Sequence, residues 1–301
     1  MEKDVTRPGG ALLSCRIPCV QQMHENGFYR PVFTYLCAQM RKRYLFFDID
    51  GTLIAGGYYG NNYIPPSTMA AIRKLREAGH FLCLATGRSE ALSRAYLEEC
   101  GIDNMVSDGG YGITIDGKLL GIRPLPREDV IALIRECERK GIPWALQTDN
   151  SDTRLAPDGR FNEVARDIYQ KTRIVPGLDP EDFENLYKAF IAGYYPMELS
   201  IESLKRLPWC RFQDEYIFVE PADKAAGIHR MLDHFGGRPE DAIVFGDSKN
   251  DLSMFGDDGW IRVAMGNASD ELKEKADLVT TDVDQDGIWN ACVALGLIKP
   301  D

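Results

Sequence analysis

From Tyr44 onward the chain alternates short apolar runs with helical stretches, and each apolar run stops abruptly on glycine or polar residues. The first run is YLFF at 44–47. A helix is expected from Thr68 to Ala78, with Ser67 as its N-cap and Gly79 as its stop. HFLCLAT (80–86) reads as a strand ending at Gly87-Arg88, a helix over Glu90 to Cys100 stops at Gly101, and residues 104–107 read as a short strand. Strands that alternate with helices in this way imply a parallel sheet with right-handed crossovers. Such a sheet gathers ligands in the crevice beyond the carboxyl ends of its strands.

Between Pro124 and Tyr216 the texture changes. An amphipathic helix (Arg127 to Lys140) leads to PWALQT, a polar stretch, YKAFIAGY, a helix over Glu198 to Arg206, and WCRFQDEYIFVE, read as one strand. Alternation of polar and apolar residues there suggests a half-exposed antiparallel sheet. The parallel pattern resumes with a helix over Ala225 to Phe235 and strands AIVF, WIRVAM and DLVTT. The expected organisation is a core formed by 40–123 and 217–301, an α+β domain inserted over 124–216, and an N-terminal extension over 1–39.

The net charge of −11 is unevenly spread: residues 1–43 hold seven Lys or Arg against three acids, which leaves −15 for the rest. A body this acidic excludes a nucleic-acid polyanion as principal partner. No apolar run approaches the roughly 18 residues of a membrane span, so no membrane partner is expected. Arg16 and Pro18 interrupt the only candidate leader stretch. The eight cysteines lack paired metal spacing, and Cys83, Cys100, Cys137 and Cys292 fall in apolar patterns as buried free thiols. A reducing, cytoplasmic location is the expectation.

Chemistry concentrates at the strand ends. Asp48 and Asp50 project on the same side of a strand leaving the sheet, and Gly51 lets the backbone turn sharply beside them. Thr86, Lys224, Asp247 and Asp251 belong to the same sheet edge. Clustered carboxylates repel unless a cation neutralises them, and hard oxygen ligands without nearby Cys or His point to Mg²⁺. One carboxylate can attack phosphorus while the other manages the proton of the leaving group.

DIDGT (48–52), TGR (86–88), the isolated Lys224 and GDSKND (246–251) resemble, in order, the four motifs of the haloacid dehalogenase superfamily of phosphatases. The long insertion resembles the type-II cap of the Cof-type subfamily, as do SDGGYG, VAMGNA and DGIWNAC. The resemblance implies an α/β fold, a Rossmann-like parallel-sheet core with an inserted α+β cap domain. It also implies a Mg²⁺-dependent phosphohydrolase acting on small phosphorylated metabolites, either sugar phosphates or cofactor precursors.

Under this resemblance Asp48 is the nucleophile that becomes an aspartyl-phosphate and Asp50 the acid and base. Ile49, Thr86, Gly87, Lys224 and Asn250 bind phosphate. Asp48, Asp50 (through its carbonyl), Asp247 and Asp251 form the metal shell. Two positions depart from the common pattern: Asp108 stands where asparagine is usual, and Asp223 precedes the lysine. Arg88 either meets substrate or anchors its loop through an ion pair. A phosphomutase-type transferase and an inactive phosphate-binding protein are the alternatives, and oligomeric state is left open.

Overall fold

A computed structural model describes residues 41–56, 62–166 and 169–299 of the chain. The expected extension over 1–39, with Cys15, Cys19 and Cys37, lies outside the described residues. In chain order the first elements are β1 (Tyr44–Phe47), α1 (Pro66–Glu77), β2 (Phe81–Ala85), α2 (Glu90–Cys100), β3 (Met105–Ser107), β4 (Gly112–Ile115) and β5 (Lys118–Ile122). Then come α3 (Arg127–Lys140), β6 (Trp144–Gln147), β7 (Thr153–Ala156), α4 (Arg160–Ala165), β8 (Lys171–Ile174), β9 (Lys188–Ala192), β10 (Trp209–Gln213) and β11 (Tyr216–Val219). The last are α5 (Lys224–Phe235), β12 (Ala242–Gly246), β13 (Ile261–Ala264), α6 (Asp270–Lys275), β14 (Leu278–Val279) and α7 (Gly287–Ala294).

Among the described residues the core sheet runs β14-β13-β12-β1-β2-β3-β4-β5, parallel as far as β3. Side-chain alternation along β1 divides it between two apolar layers. Leu45 and Phe47 pack with Ile72 and Leu75 of α1 and Ile288 of α7, while Tyr44 and Phe46 pack with Ile228 and Met231 of α5. Strands buried on both faces read as continuous apolar runs, which is why YLFF and AIVF are legible as central strands. β4 and β5 add an antiparallel edge turned at Asp116-Gly117, both in positive φ, as a two-residue hairpin requires.

The cap sheet runs β10-β11-β9-β6-β7-β8, and only β7 and β8 pair in parallel. One face (Leu146, Ala189, Ile191, Ile217, Val219) packs on Leu133, Ile134 and Cys137 of α3. The other carries Phe190, Tyr216 and Phe218 against Phe161 of α4. No helix among the described residues is long and apolar enough to cross a membrane.

Four expectations need correction. WCRFQDEYIFVE is a hairpin, because Asp214-Glu215 turn it and Arg211 bonds the Asp214 carbonyl at 2.8 Å. β11 belongs to the cap sheet, so the return to the core lies beyond Val219 and not at the expected 216/217 boundary. α1 starts with Pro66 in its first turn and no side-chain cap, rather than on Ser67.

The expected helix over Glu198 to Arg206 is two 3-10 turns, Met197–Ser200 and Glu202–Arg206. Glu136 of α3 is the physical cause: its carboxylate accepts the backbone N–H groups of Glu202 (3.0 Å) and Ser203 (2.9 Å), which a continuous helix would have used internally. Burial pushes the Glu136 carboxyl up, but Lys140 and those N–H donors outweigh it and hold it down at about 2. A depressed folded-state pKa gives stability that is present above the ordinary value of 4.5 and lost as pH falls toward 2. Glu136→Gln is therefore expected to cost about 1–3 kcal/mol in urea unfolding near neutral pH. The deficit relative to wild type should shrink as pH falls below 4.5 and close only near pH 2, where the folded wild type loses the carboxylate as well.

Candidate active site

β1 delivers Asp48 to the carboxyl edge of the sheet, where its N–H donates to the Phe245 carbonyl at the end of β12 (3.1 Å). Lys224 opens α5, whose N-terminus is capped by Asp223 accepting from the Ala226 N–H (3.1 Å). The Lys224 ammonium is 1% exposed and stands 2.6 Å from both Asp48 Oδ1 and Asp251 Oδ1. The other oxygen of Asp251 accepts the N–H groups of Asp247 (3.0 Å) and Ser248 (3.1 Å). This capping interaction folds GDSKND into a compact turn over the end of β12.

Oxygens of Asp48, Asp247 and Asp251 lie within 4.8 Å of one another. Asp48 Oδ2 and Asp247 Oδ1 are buried and have no hydrogen-bond partner. Burial and the Asp251 carboxylate raise the Asp48 carboxyl well above its usual range, with Lys224 opposing; the same two causes bring Asp247 to about 7. Burial alone would disfavour the Lys224 ammonium, yet Asp251 and Asp48 outweigh it and raise its pKa. A cluster that is all-oxygen and net negative, with two orphaned carboxylate oxygens, fits a hard divalent cation. Asp251, with both oxygens already accepting, serves as a bracket for Lys224 and the Asp247 backbone. Gly51 has φ +78°, and a Cβ there would overlap the Asp247 carboxylate, so glycine is what admits Asp247 beside β1.

The TGR turn lies across the same edge. Thr86 is buried, its hydroxyl accepts the Arg88 N–H (3.1 Å), and it lines a cavity with Gly87, Asn250 and Lys224. Ile49 has its side chain wholly in the core, so only its main chain can face a ligand. The Asp50 carboxylate is not in the acidic cluster: Arg88 grips it with two hydrogen bonds, Nε to Oδ2 at 2.7 Å and Nη2 to Oδ1 at 2.6 Å. Arg88 thus forms the expected ion pair, and it also lines the cavity.

Asn267 shapes the adjacent loop, donating to the Gly51 carbonyl (2.8 Å) and accepting from the Val283 N–H (2.9 Å). Asp108 is buried and accepts the Ser107 hydroxyl and the Glu90 N–H, holding the start of α2. Next to it, Gly110 (φ +103°) lies so close to the Asp223 carbonyl that a Cβ would collide with it, which seats the segment presenting Lys224. The two unusual residues are thus helix-capping groups around the site.

Sequence reasoning missed the cap side chains that dock on residues 87–91. Lys188 of β9 donates to the Gly87 carbonyl (2.7 Å) and pairs with Glu220 (2.6 Å). Asn150 accepts the Ala91 N–H (3.0 Å) and donates to Glu90 (2.7 Å). Tyr169 lies 5.3 Å from the Arg88 guanidinium. A lysine inside the otherwise apolar run KAFIA was the available signal. Of residues 147–160 only Gln147 lines the cavity wall, and Arg154 is buried among Phe161, Phe190 and Tyr216 inside the cap.

Gly51→Ala is expected to weaken divalent-cation affinity about 10- to 100-fold by displacing Asp247, read by calorimetric titration of the folded protein. Undiminished affinity would place the ion elsewhere.

Residues 45–292 match the model of the haloacid dehalogenase-like hydrolases. The chain is 31% identical to YkrA of Bacillus subtilis (strain 168) over 86% of this chain and all of that protein. It is 26% identical to the pyridoxal phosphate phosphatase YbhA of Escherichia coli (strain K12), over 83% of this chain and 97% of that one. Among solved structures it is similar to the subclass IIB sugar phosphatase BT4131, with a TM-score of 0.69, 27% identity, and coverage of 85% of this chain and 100% of that one. With this match and the acidic cluster at the sheet edge, the chain belongs to the haloacid dehalogenase-like hydrolases and is a phosphatase of the Cof-type group.

Proposed function

We propose that the protein hydrolyses small phosphomonoesters in two steps through Asp48, with Mg²⁺ held by Asp48, Asp247 and the Asp50 carbonyl. The observation that carries this reading is the buried Lys224 bridge between Asp48 and Asp251, beside the orphaned oxygens of Asp48 and Asp247. With a cation to offset the Asp251 and Asp247 charges, a partly unpaired carboxylate beside a fixed ammonium is a nucleophile set to attack a phosphorus whose charge the same site neutralises. Mg²⁺ would offset the negative charge of the phosphoryl oxygens and of the two carboxylates.

In the first step an Asp48 oxygen forms the bond to phosphorus as the ester P–O bond breaks, and Asp50 gives its proton to the departing oxygen. In the second step water attacks the phosphorus, Asp50 takes the water proton, and the bond to Asp48 breaks to release inorganic phosphate. Lys224, the Thr86 hydroxyl, the Asn250 amide and the main chain at Ile49 and Gly87 hold the phosphoryl oxygens in place. Arg88 positions Asp50 and must loosen its grip for the proton to be carried. The cap, moving about the crossings near Pro124 and Val219, acts as a lid, and Lys188 and Asn150 latch it to the TGR turn when shut. A cavity of about 700 Å³ suits a leaving group of metabolite size. YbhA and BT4131, named as phosphatases of pyridoxal phosphate and of sugars, support the same size class.

Asp48→Asn is expected to lower kcat on a generic aryl phosphate at least about 10³-fold, and equal rates would remove Asp48 from the mechanism. Asp50→Asn should lower kcat about 10²- to 10⁴-fold on alkyl phosphates, whose leaving oxygen needs the proton. Chelation with EDTA should abolish phosphate release and added Mg²⁺ restore it; turnover that persists in EDTA would contradict the metal assignment.

A further inference from the structure

A second cavity, of about 450 Å³, also reaches the catalytic edge and shares only Asp50, Ser248 and Asn250 with the cavity beneath the cap. The two differ in charge. The cap-side cavity brings together Arg88, Lys188, Arg211, Lys224 and Lys249 against Asp50 and Glu220, which suits an anionic ester. The charged residues of the second are Asp50, Asp247, Asp282 and Asp284, with no Lys, Arg or His among its described lining residues. None of those residues belongs to the cap, so a lid closed over substrate leaves this cavity open.

Asp282 and Asp284 lie in DVDQDG (282–287), at the turn between β14 and α7. That turn is held from both ends. Its Asp282 carbonyl accepts the N–H groups of Gln285 (2.9 Å) and Gly287 (3.2 Å), and its Val283 N–H donates to Asn267, which also grips the Gly51 carbonyl. A Cβ at Gly266 would overlap Asp282 Oδ1, so glycine there lets the carboxylate close against the loop after β13. Neither aspartate has an ion-pair partner among the described residues. The cavity meets the metal cluster at Asp247, whose buried Oδ1 has no partner. An oxygen of Asp48, a residue 2% exposed whose Oδ2 is also unpartnered, lies within 4.8 Å of an Asp247 oxygen. Asp282 and Asp284 are not part of that cluster, so they meet the ion on its way in rather than in its coordination shell.

A hydrated divalent cation drawn by fixed negative charge accumulates as a loose pair before it exchanges water for carboxylate oxygen. The cap-side cavity, with its five cations, repels the same ion. We infer that Asp282 and Asp284 form an entrance for the divalent cation, apart from the substrate's entrance under the cap, and speed its capture without ligating it. This inference rests on the metal assignment of the phosphatase reading and adds the route by which the ion arrives.

The test follows Mn²⁺ uptake by the metal-free full chain in stopped flow, with a fluorescent indicator reporting the free ion, and its release on adding EDTA. Asp282→Asn/Asp284→Asn is expected to lower the association rate about 3- to 10-fold at low ionic strength and to leave the release rate within about twofold. In about 0.5 M KCl, where screening acts over a few ångströms, the variant should match wild type. Asp284→Asn alone, at an exposed turn position, should slow uptake about twofold and keeps the test open if the double variant does not fold. Lys249→Gln, which removes a positive charge from the cap-side cavity alone, should change uptake by less than about twofold. Unaltered uptake in the aspartate variants would overturn the inference, and larger acceleration by Lys249→Gln would route the ion through the cap and overturn it too. Faster release, with a loss of affinity that persists in salt, would make the two aspartates ligands and likewise overturn it. No saturable uptake by wild type, or uptake as tight in Asp247→Asn, would instead overturn the metal assignment beneath it.

Discussion

The ammonium of Lys224 is the contact around which the catalytic edge is organised. Three carboxylates with oxygens inside 4.8 Å, two of them almost wholly buried, cannot all stay ionised without compensating charge. Lys224 supplies one compensating charge from the first turn of α5, and the proposed divalent cation would supply the rest. Much of the surrounding structure keeps that ammonium in place. Asp223 caps the helix, Gly110 gives its approach room, and Ser253 accepts the Lys224 N–H (3.1 Å). Asp251 is fixed from its far side by two backbone donors.

The carboxylate proposed to manage protons is kept apart from this cluster. Asp50 leaves the strand two residues after Asp48, yet its side chain turns to Arg88, so its neighbour is a guanidinium rather than more acid. Two carboxylates at one strand end thus acquire different surroundings and can do different jobs. Arg88 touches Tyr169 of the cap, and Lys188 and Asn150 fasten the same few residues of the turn. Cap side chains and the Asp50–Arg88 ion pair therefore meet on one short loop, through which the proposed lid would act on Asp50.

Much of this was legible in the chain because it rests on local rules. The limits of α2 and α3 are those read from their periodicity and glycine stops. The acidic strand end, TGR and GDSKND meet because parallel connectivity sends strand ends to one edge, so the alternation alone locates them together. What was not legible depends on partners distant in sequence. Nothing near Glu198 to Arg206 announces that Glu136, more than sixty residues earlier, captures its N–H groups. Nothing near Arg88 decides between substrate and Asp50. The Asp116-Gly117 hairpin is a different case: the turn signal was present in the sequence, but the flanking residues blend into the preceding strand.

The most direct test of the central claim is to trap the covalent intermediate. Enzyme quenched during turnover of a phosphomonoester with Mg²⁺ is treated with borohydride, which reduces an acyl phosphate to the alcohol, and the peptides are read by mass spectrometry. The account predicts homoserine at position 48 in wild type, and none there in Asp48→Asn. Phosphate release with unmodified Asp48 and homoserine at another aspartate, or at none, would contradict it.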